Sequence, residues 1–154
     1  MKQELVNPFL SAAFSVLESL LGETPSKGAL KVQSDVSTRH QVNVTIGVTG
    51  EVTGHLIFGM SLQTADKIAS LMIGKPIRTF DAMAASAIAE LANMISGNGL
   101  LHLSESGLIA DVTPPTVIRG TDVEINTLAI PALIVPLMLE VGEFSITVGL
   151  MQMK

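Results

Sequence analysis

Apolar residues run at two different periods along this chain, and the helical period gives way to the strand period twice. Leu5, Val6, Phe9, Leu10, Ala13, Phe14, Val16, Leu17, Leu20 and Leu21 recur at helical spacing and predict an amphipathic helix over residues 4–21. Gly22 and Pro25 end it, while Pro8 falls near its start, where early N–H groups have no intrahelical acceptor. The pattern then changes to short runs rich in β-branched residues, predicting strands over 30–36, 42–48 and 55–60. The two glycines of the 49–54 segment suit an antiparallel hairpin turn. Helical spacing returns over 62–73, stopped by Gly74-Lys75-Pro76, and over 81–104, where Asp81 is a good N-cap. Strands are predicted again over 109–112, 116–119, 123–128, 132–140 and 144–151, the last two joined by a turn at 141–143. Pro131 and Pro136 point to sheet edges or bulges.

The order is helix, strands, helix, then helix, strands, which suggests a loose internal duplication. Each part opens with a helix carrying Glu-x-x-Asn (Glu4 and Asn7, then Glu90 and Asn93), and each contains an apolar hairpin, at 44–60 and at 133–151. No linker separates the parts. The 154 residues are therefore expected to form one domain of the α+β class, with long helices on an antiparallel or mixed sheet and a pseudo-two-fold.

Charge narrows the function. Only 15% of the residues are charged, against about a quarter in an average domain, and the net charge is −5. No run of Lys or Arg offers a footprint for nucleic acid or an anionic membrane. Tyr and Trp are absent, so stacking platforms for single strands are not expected. The absence of Cys excludes disulfides, thiolate metal sites and thiol catalysis. No eighteen-residue apolar run predicts a membrane span, and the first residues do not read as a secretory signal, so a cytoplasmic location is expected. His40, His55 and His102 lack metal-ligand spacing and are expected in structural roles. Met residues suit core gap-filling, and Gly47, Gly50 and Gly54 read as hairpin glycines, not a phosphate loop. So apolar a chain is also expected to cover surface in an oligomer.

The helix over 81–104 carries the one pattern with chemical content. Met83, Ala84, Ala85, Ala87, Ile88, Leu91, Ala92, Met94 and Ile95 can all be buried. Against them stand Ser86, Glu90 and Asn93, spaced four and then three, which places them on one face. A solvated helix face is polar by default, but it usually carries Lys, Arg and several Glu. Here one carboxylate lies between Met83 and Leu103, and the flanking side chains are small, so a partner can come close. Gly97 and Gly99 each weaken the helix by about 1 kcal/mol relative to Ala, which a close approach by another backbone would explain.

At these residues the chain resembles the CheX/CheC/FliY chemotaxis phosphatases, and CheX in particular. Their signature is Asp or Ser, three residues, Glu, two residues, Asn, and a Pro about twenty residues on. It reads here as Ser86-x-x-x-Glu90-x-x-Asn93, with Pro114 and Pro115 downstream in Asp-Val-Thr-Pro-Pro-Thr-Val. The segments 45–50, 54–57 and 113–117 are also similar to CheX, and the resemblance spans nearly the whole chain. It implies a CheC-like fold and a phosphatase that stimulates hydrolysis of the aspartyl phosphate on a CheY-type response regulator. In that role Asn93 would orient the attacking water, Glu90 would dock the receiver, and Ser86 would be a supporting partner contact. The resemblance implies no cofactor of the protein's own, with Mg²⁺ on the partner receiver domain, and a homodimer formed through the sheets. The alternative is a non-catalytic receiver-binding or flagellar switch-like module; an unrelated structural protein is a third reading. CheC-like relatives carry two sites, but no Asp or Ser stands four residues before Glu4, and Pro8 disturbs that helix start. Glu4 and Asn7 are therefore read as N-terminal polar residues, acidic charge being favourable at a helix start.

Overall fold

A helical layer covers one face of an antiparallel sheet in the computed structural model, which describes residues 3–33, 37–38, 40–121, 123–125 and 131–153. The first half of the chain gives α1 (Gln3–Leu21), β1 (Ser26–Lys27), β2 (Lys31–Gln33), β3 (Ser37–Thr38) and the hairpin β4 (Val42–Gly50) with β5 (Val52–Met60). Helix α2 (Leu62–Ile73) follows. The second half repeats the series: α3 (Ala82–Glu105), β6 (Ala110–Val112), β7 (Thr116–Arg119), β8 (Val123–Glu124) and the hairpin β9 (Ala132–Leu139) with β10 (Gly142–Gln152).

The duplication is built as an exchange. The main sheet runs β1-β9-β10-β5-β4-β6, with β2 also on β9 and β7 also on β4; β3 and β8 pair separately. Thus β1 and β2 of the first half lie on the second hairpin, and β6 and β7 of the second half lie on the first. The two hairpins meet at the centre, where Leu56 faces Val148 and Phe58 faces Ile146.

Period-two alternation fixes which face is covered. On β4, Val42, Val44, Ile46 and Val48 are buried, and on β10 so are Phe144, Ile146, Val148 and Leu150. They meet Leu5, Phe9, Ala13 and Leu17 of α1 and Ile88, Leu91, Ala92, Ile95 and Leu103 of α3 in one core. The rings of Phe58 and Phe144 lie 6.0 Å apart, tilted by 40°, within the favourable range for aromatic pairs. Helix α1 is long and apolar enough to cross a membrane by length and composition. Yet it is amphipathic: its apolar face is buried in this core, while Glu4, Asn7, Ser11, Ser15 and Glu18 are exposed.

Several sequence-derived boundaries are corrected. The first hairpin turn is much tighter than 49–54, with only Glu51 between β4 and β5. Gly54 is inside β5 at φ +143°, and a side chain there would collide with the Gly149 carbonyl on β10. Gly47 is also a strand residue, clasped to Thr113 in both directions: the Gly47 N–H donates to Thr113 Oγ1 at 2.8 Å and the Thr113 N–H to the Gly47 carbonyl at 2.9 Å. Pro8 lies past the first turn of the helix that begins at Gln3, so the Glu4 carbonyl loses its usual donor. The strand expected over 30–36 is described over Lys31–Gln33, and that over 123–128 covers Val123–Glu124; 34–36 and 126–128 lie outside the described residues. Pro136 is within β9, at the break where the outer neighbour changes from β1 to β2. There its carbonyl accepts from the Gly28 N–H at 2.8 Å.

Candidate functional site

Helix α3 is held by its ends and by one face. At its start the Asp81 carboxylate accepts from the Ala84 N–H at 2.9 Å, satisfying one of the free donors of the first turn. Ala84, Ile88, Leu91, Ala92, Ile95 and Leu103 are buried below. Ser86, Glu90 and Asn93 lie on the opposite, exposed side. Among the described residues, no hydrogen bond or ion pair within the chain engages any of these three side chains. A carboxylate and an amide thus stand one turn apart on a fixed helix, free to pair with a partner. The carboxylate accepts only; the amide both donates and accepts.

Apolar side chains frame this stripe, and here the sequence reading needs correction. Met83 and Met94, read as buriable, are 49% and 36% exposed. Leu101, not singled out, is 65% exposed. The four- and three-residue steps from Glu90 through Met94 and Gly97 to Leu101 place it on the same face. That continuation of the spacing was the available signal.

Pro114 and Pro115 occupy the break between β6 and β7, two strands that line one edge of the sheet and pack against α3. Glu4 and Asn7 are exposed on α1. Asn7 borders an open groove of about 860 Å³ with Ser11, Phe14, Ser15, Glu18 and Lys27. A second, more apolar groove of about 620 Å³ lies at the end of α2, between Lys67, Leu71, Lys75 and Ile77. Neither includes Ser86, Glu90 or Asn93.

The histidines are scattered. His40 Nε2 lies 3.5 Å from Glu143 Oε2, His55 is half-buried in β5, and His102 is exposed in the last turn of α3. Among the described residues, no cluster of three or more His, Cys, Asp or Glu is placed to hold a metal ion.

Known proteins are similar to this chain in both sequence and architecture. Residues 42–138 match the family described as chemotaxis phosphatase CheX. The CheY-P phosphatase CheX of Thermotoga maritima is 34% identical over 131 residues, 84% of each chain. A chain of the CheX-CheY-BeF3-Mg+2 complex from Borrelia burgdorferi superposes with a TM-score of 0.82 at 32% identity, covering 96% of this chain and 97% of that one. A CheC-like superfamily protein from Shewanella sp. PV-4 shares the fold with a TM-score of 0.89 at 24% identity, over 98% and 99% of the two chains. With the matched region spanning most of the sheet and all of α3, the chain belongs to the CheX family of chemotaxis phosphatases.

Proposed function

We propose that this protein hydrolyses the aspartyl phosphate of a phosphorylated CheY-type receiver domain, with Asn93 orienting the attacking water and Glu90 docking the receiver. One observation carries the reading: Glu90 and Asn93 stand exposed, without partners among the described residues, on the same face of a helix whose other face is locked in the core. An aspartyl phosphate is a mixed anhydride and already reactive, so catalysis reduces to positioning and electrostatics. The Asn93 amide, inserted into the receiver's pocket, accepts from a water and donates elsewhere, holding that water in line with the phosphorus–oxygen bond that breaks. Glu90 faces the active-site Lys of the receiver and adds specificity through charge. Ser86, one turn earlier, is a supporting contact. The receiver contributes Mg²⁺ and Lys, and this chain contributes no cofactor. The reading includes a cytoplasmic location and a homodimer. It is supported by the names of the relatives, one a CheY-P phosphatase and one a complex with CheY.

Phosphate release from purified phosphorylated receivers of the same organism tests it. Asn93→Ala is expected to lower the stimulated rate by about 100-fold or more with unchanged melting. Glu90→Ala is expected to weaken receiver affinity roughly 10- to 100-fold, the loss of one close charge pair. An Asn93→Ala variant of full activity would remove the assignment. Receiver binding without any stimulated release by the wild-type protein would instead favour the non-catalytic binding or switch-like module.

A further inference from the structure

Two glycines interrupt α3, and the rest of the chain explains one of them. A Cβ at Gly99 would run into the ring of Phe9, so that glycine is what lets α1 and α3 close on one another. The close approach comes from a side chain, not a backbone. Gly97 is different. A Cβ there would meet nothing within 4 Å among the described residues, and its backbone is helical, without the positive φ that favours glycine. It caps nothing, since the helix runs on to Glu105. Alanine would suit the isolated chain better, because glycine in a helix interior loses more backbone entropy.

The position of Gly97 gives it a use. It lies about one turn beyond Asn93 and two beyond Glu90, on the same exposed face, with the exposed Met83, Met94 and Leu101 beside that stripe. Helical side chains lean toward the N-terminus and cover the turn before their own Cα. Any side chain at position 97 would therefore lie over the turn that carries Asn93. Its absence leaves bare helix backbone beside the amide.

We infer that Gly97 is a positioning and specificity residue for the dephosphorylation: the bare turn is the seat for the loops around the receiver's phosphoaspartate, and it sets how deeply the Asn93 amide reaches. This rests on the function proposed above. Gly97 touches no reacting atom; it acts through the depth at which Asn93 is delivered.

The test uses Gly97→Ala and Gly97→Leu beside wild type and Asn93→Ala in the full-length protein. Melting temperature, sedimentation, and kcat and KM for release of phosphate from a purified phosphorylated receiver are measured. Both Gly97 variants are expected to melt at or above wild type, a direction opposite to that of a structural glycine. Their kcat/KM should fall with side-chain size, reaching roughly a 100-fold loss for Leu, the scale of an ångström-sized misplacement. Part of that loss should remain in kcat at saturating receiver, since the complex that forms is too shallow. A Gly97→Leu protein with wild-type kcat/KM, while Asn93→Ala is inactive, would overturn this inference and leave the proposed function standing. Variants that melt below wild type would assign Gly97 to folding and overturn it as well. A change in sedimentation with kcat/KM unchanged would make a second copy of the chain the occupant of the bare turn, and the positioning role would fall. If wild type itself releases no phosphate from any receiver, the function falls, and this inference with it.

Discussion

Ser96 is fully buried on the inner side of α3, and its hydroxyl has no hydrogen-bond partner among the described residues. An unsatisfied buried hydroxyl costs about 1–3 kcal/mol, and alanine is the better helix former. Ser96→Ala is therefore expected to stabilise the protein by about 1 kcal/mol, read as a higher urea midpoint with an unchanged slope. Gly99→Ala, three residues on, should act oppositely and cost about 1–3 kcal/mol, because its Cβ overlaps the Phe9 ring in a packed core. At this scale the sequence is informative where the determinant is local. The steps from Ser86 to Glu90 to Asn93 place all three on one face whatever the tertiary fold. Which side that face turns to depends on what packs beneath it. Met83 and Met94 show the limit: both are apolar enough for a core, but the helix's buried arc is filled by Ile88, Leu91, Ala92 and Ile95, and the methionines are left outside. Gly97 and Gly99 look alike in a sequence; only the position of Phe9 separates them.

The elements meet with some electrostatic cost where α2 approaches the start of α3. One carboxylate oxygen of Asp66 is buried without a hydrogen-bond partner among the described residues, and burial pushes its pKa above the ordinary carboxylate value; the Arg119 charge pulls it back and the Asp81 charge adds to the push. The folded chain thus holds this proton more tightly than the unfolded chain. Stability from this group is then lost as pH rises from the ordinary carboxylate pKa, about 4, through the raised one, and stays lost above it. Asp66→Asn removes the ionisation. It is expected to raise the melting temperature at pH 7, with the gap to wild type closing near pH 3; an equal gap at both pH values would discount the burial cost. Helices and long hairpins were readable here because their periods extend over many residues. The two-residue strand β1 was not, since Ser26–Lys27 carries no alternation at all. Its place comes from the hydrogen-bonding edge of β9, where Ser26 faces Met138 and Lys27 faces Leu137. Pro136, a sign of an edge or bulge in the sequence, lies at the discontinuity between two outer strands, where residues 28–30 oppose only 135–136.

In the whole molecule, two similar halves hold each other by exchanging their short strands, an arrangement that the repeated helix and hairpin announced only in part. Strands of two to four residues carry too little pattern to say which hairpin they join, so the exchange itself is illegible in the sequence. The exchange has a consequence for the homodimer proposed above. On the β9 side, the short strands end the sheet with Leu30 at 48%, Val32 at 72% and Met138 at 43% exposure. Each of these edge strands already carries an exposed lysine, Lys27 and Lys31, which discourages strand pairing, so what favours association here is the exposed apolar surface of each copy. A second copy presenting the same edge about a two-fold would cover both at once. Sedimentation at micromolar concentration is expected to give twice the 16.2 kDa chain mass. The double substitution Leu30→Lys with Val32→Lys should shift it to the single chain mass with little change in melting, since neither side chain belongs to the core. A wild-type monomer would refute the dimer. A dimer indifferent to both lysines would move the contact to another surface, with the strip of α3 around Met94 and Leu101 next to be tested.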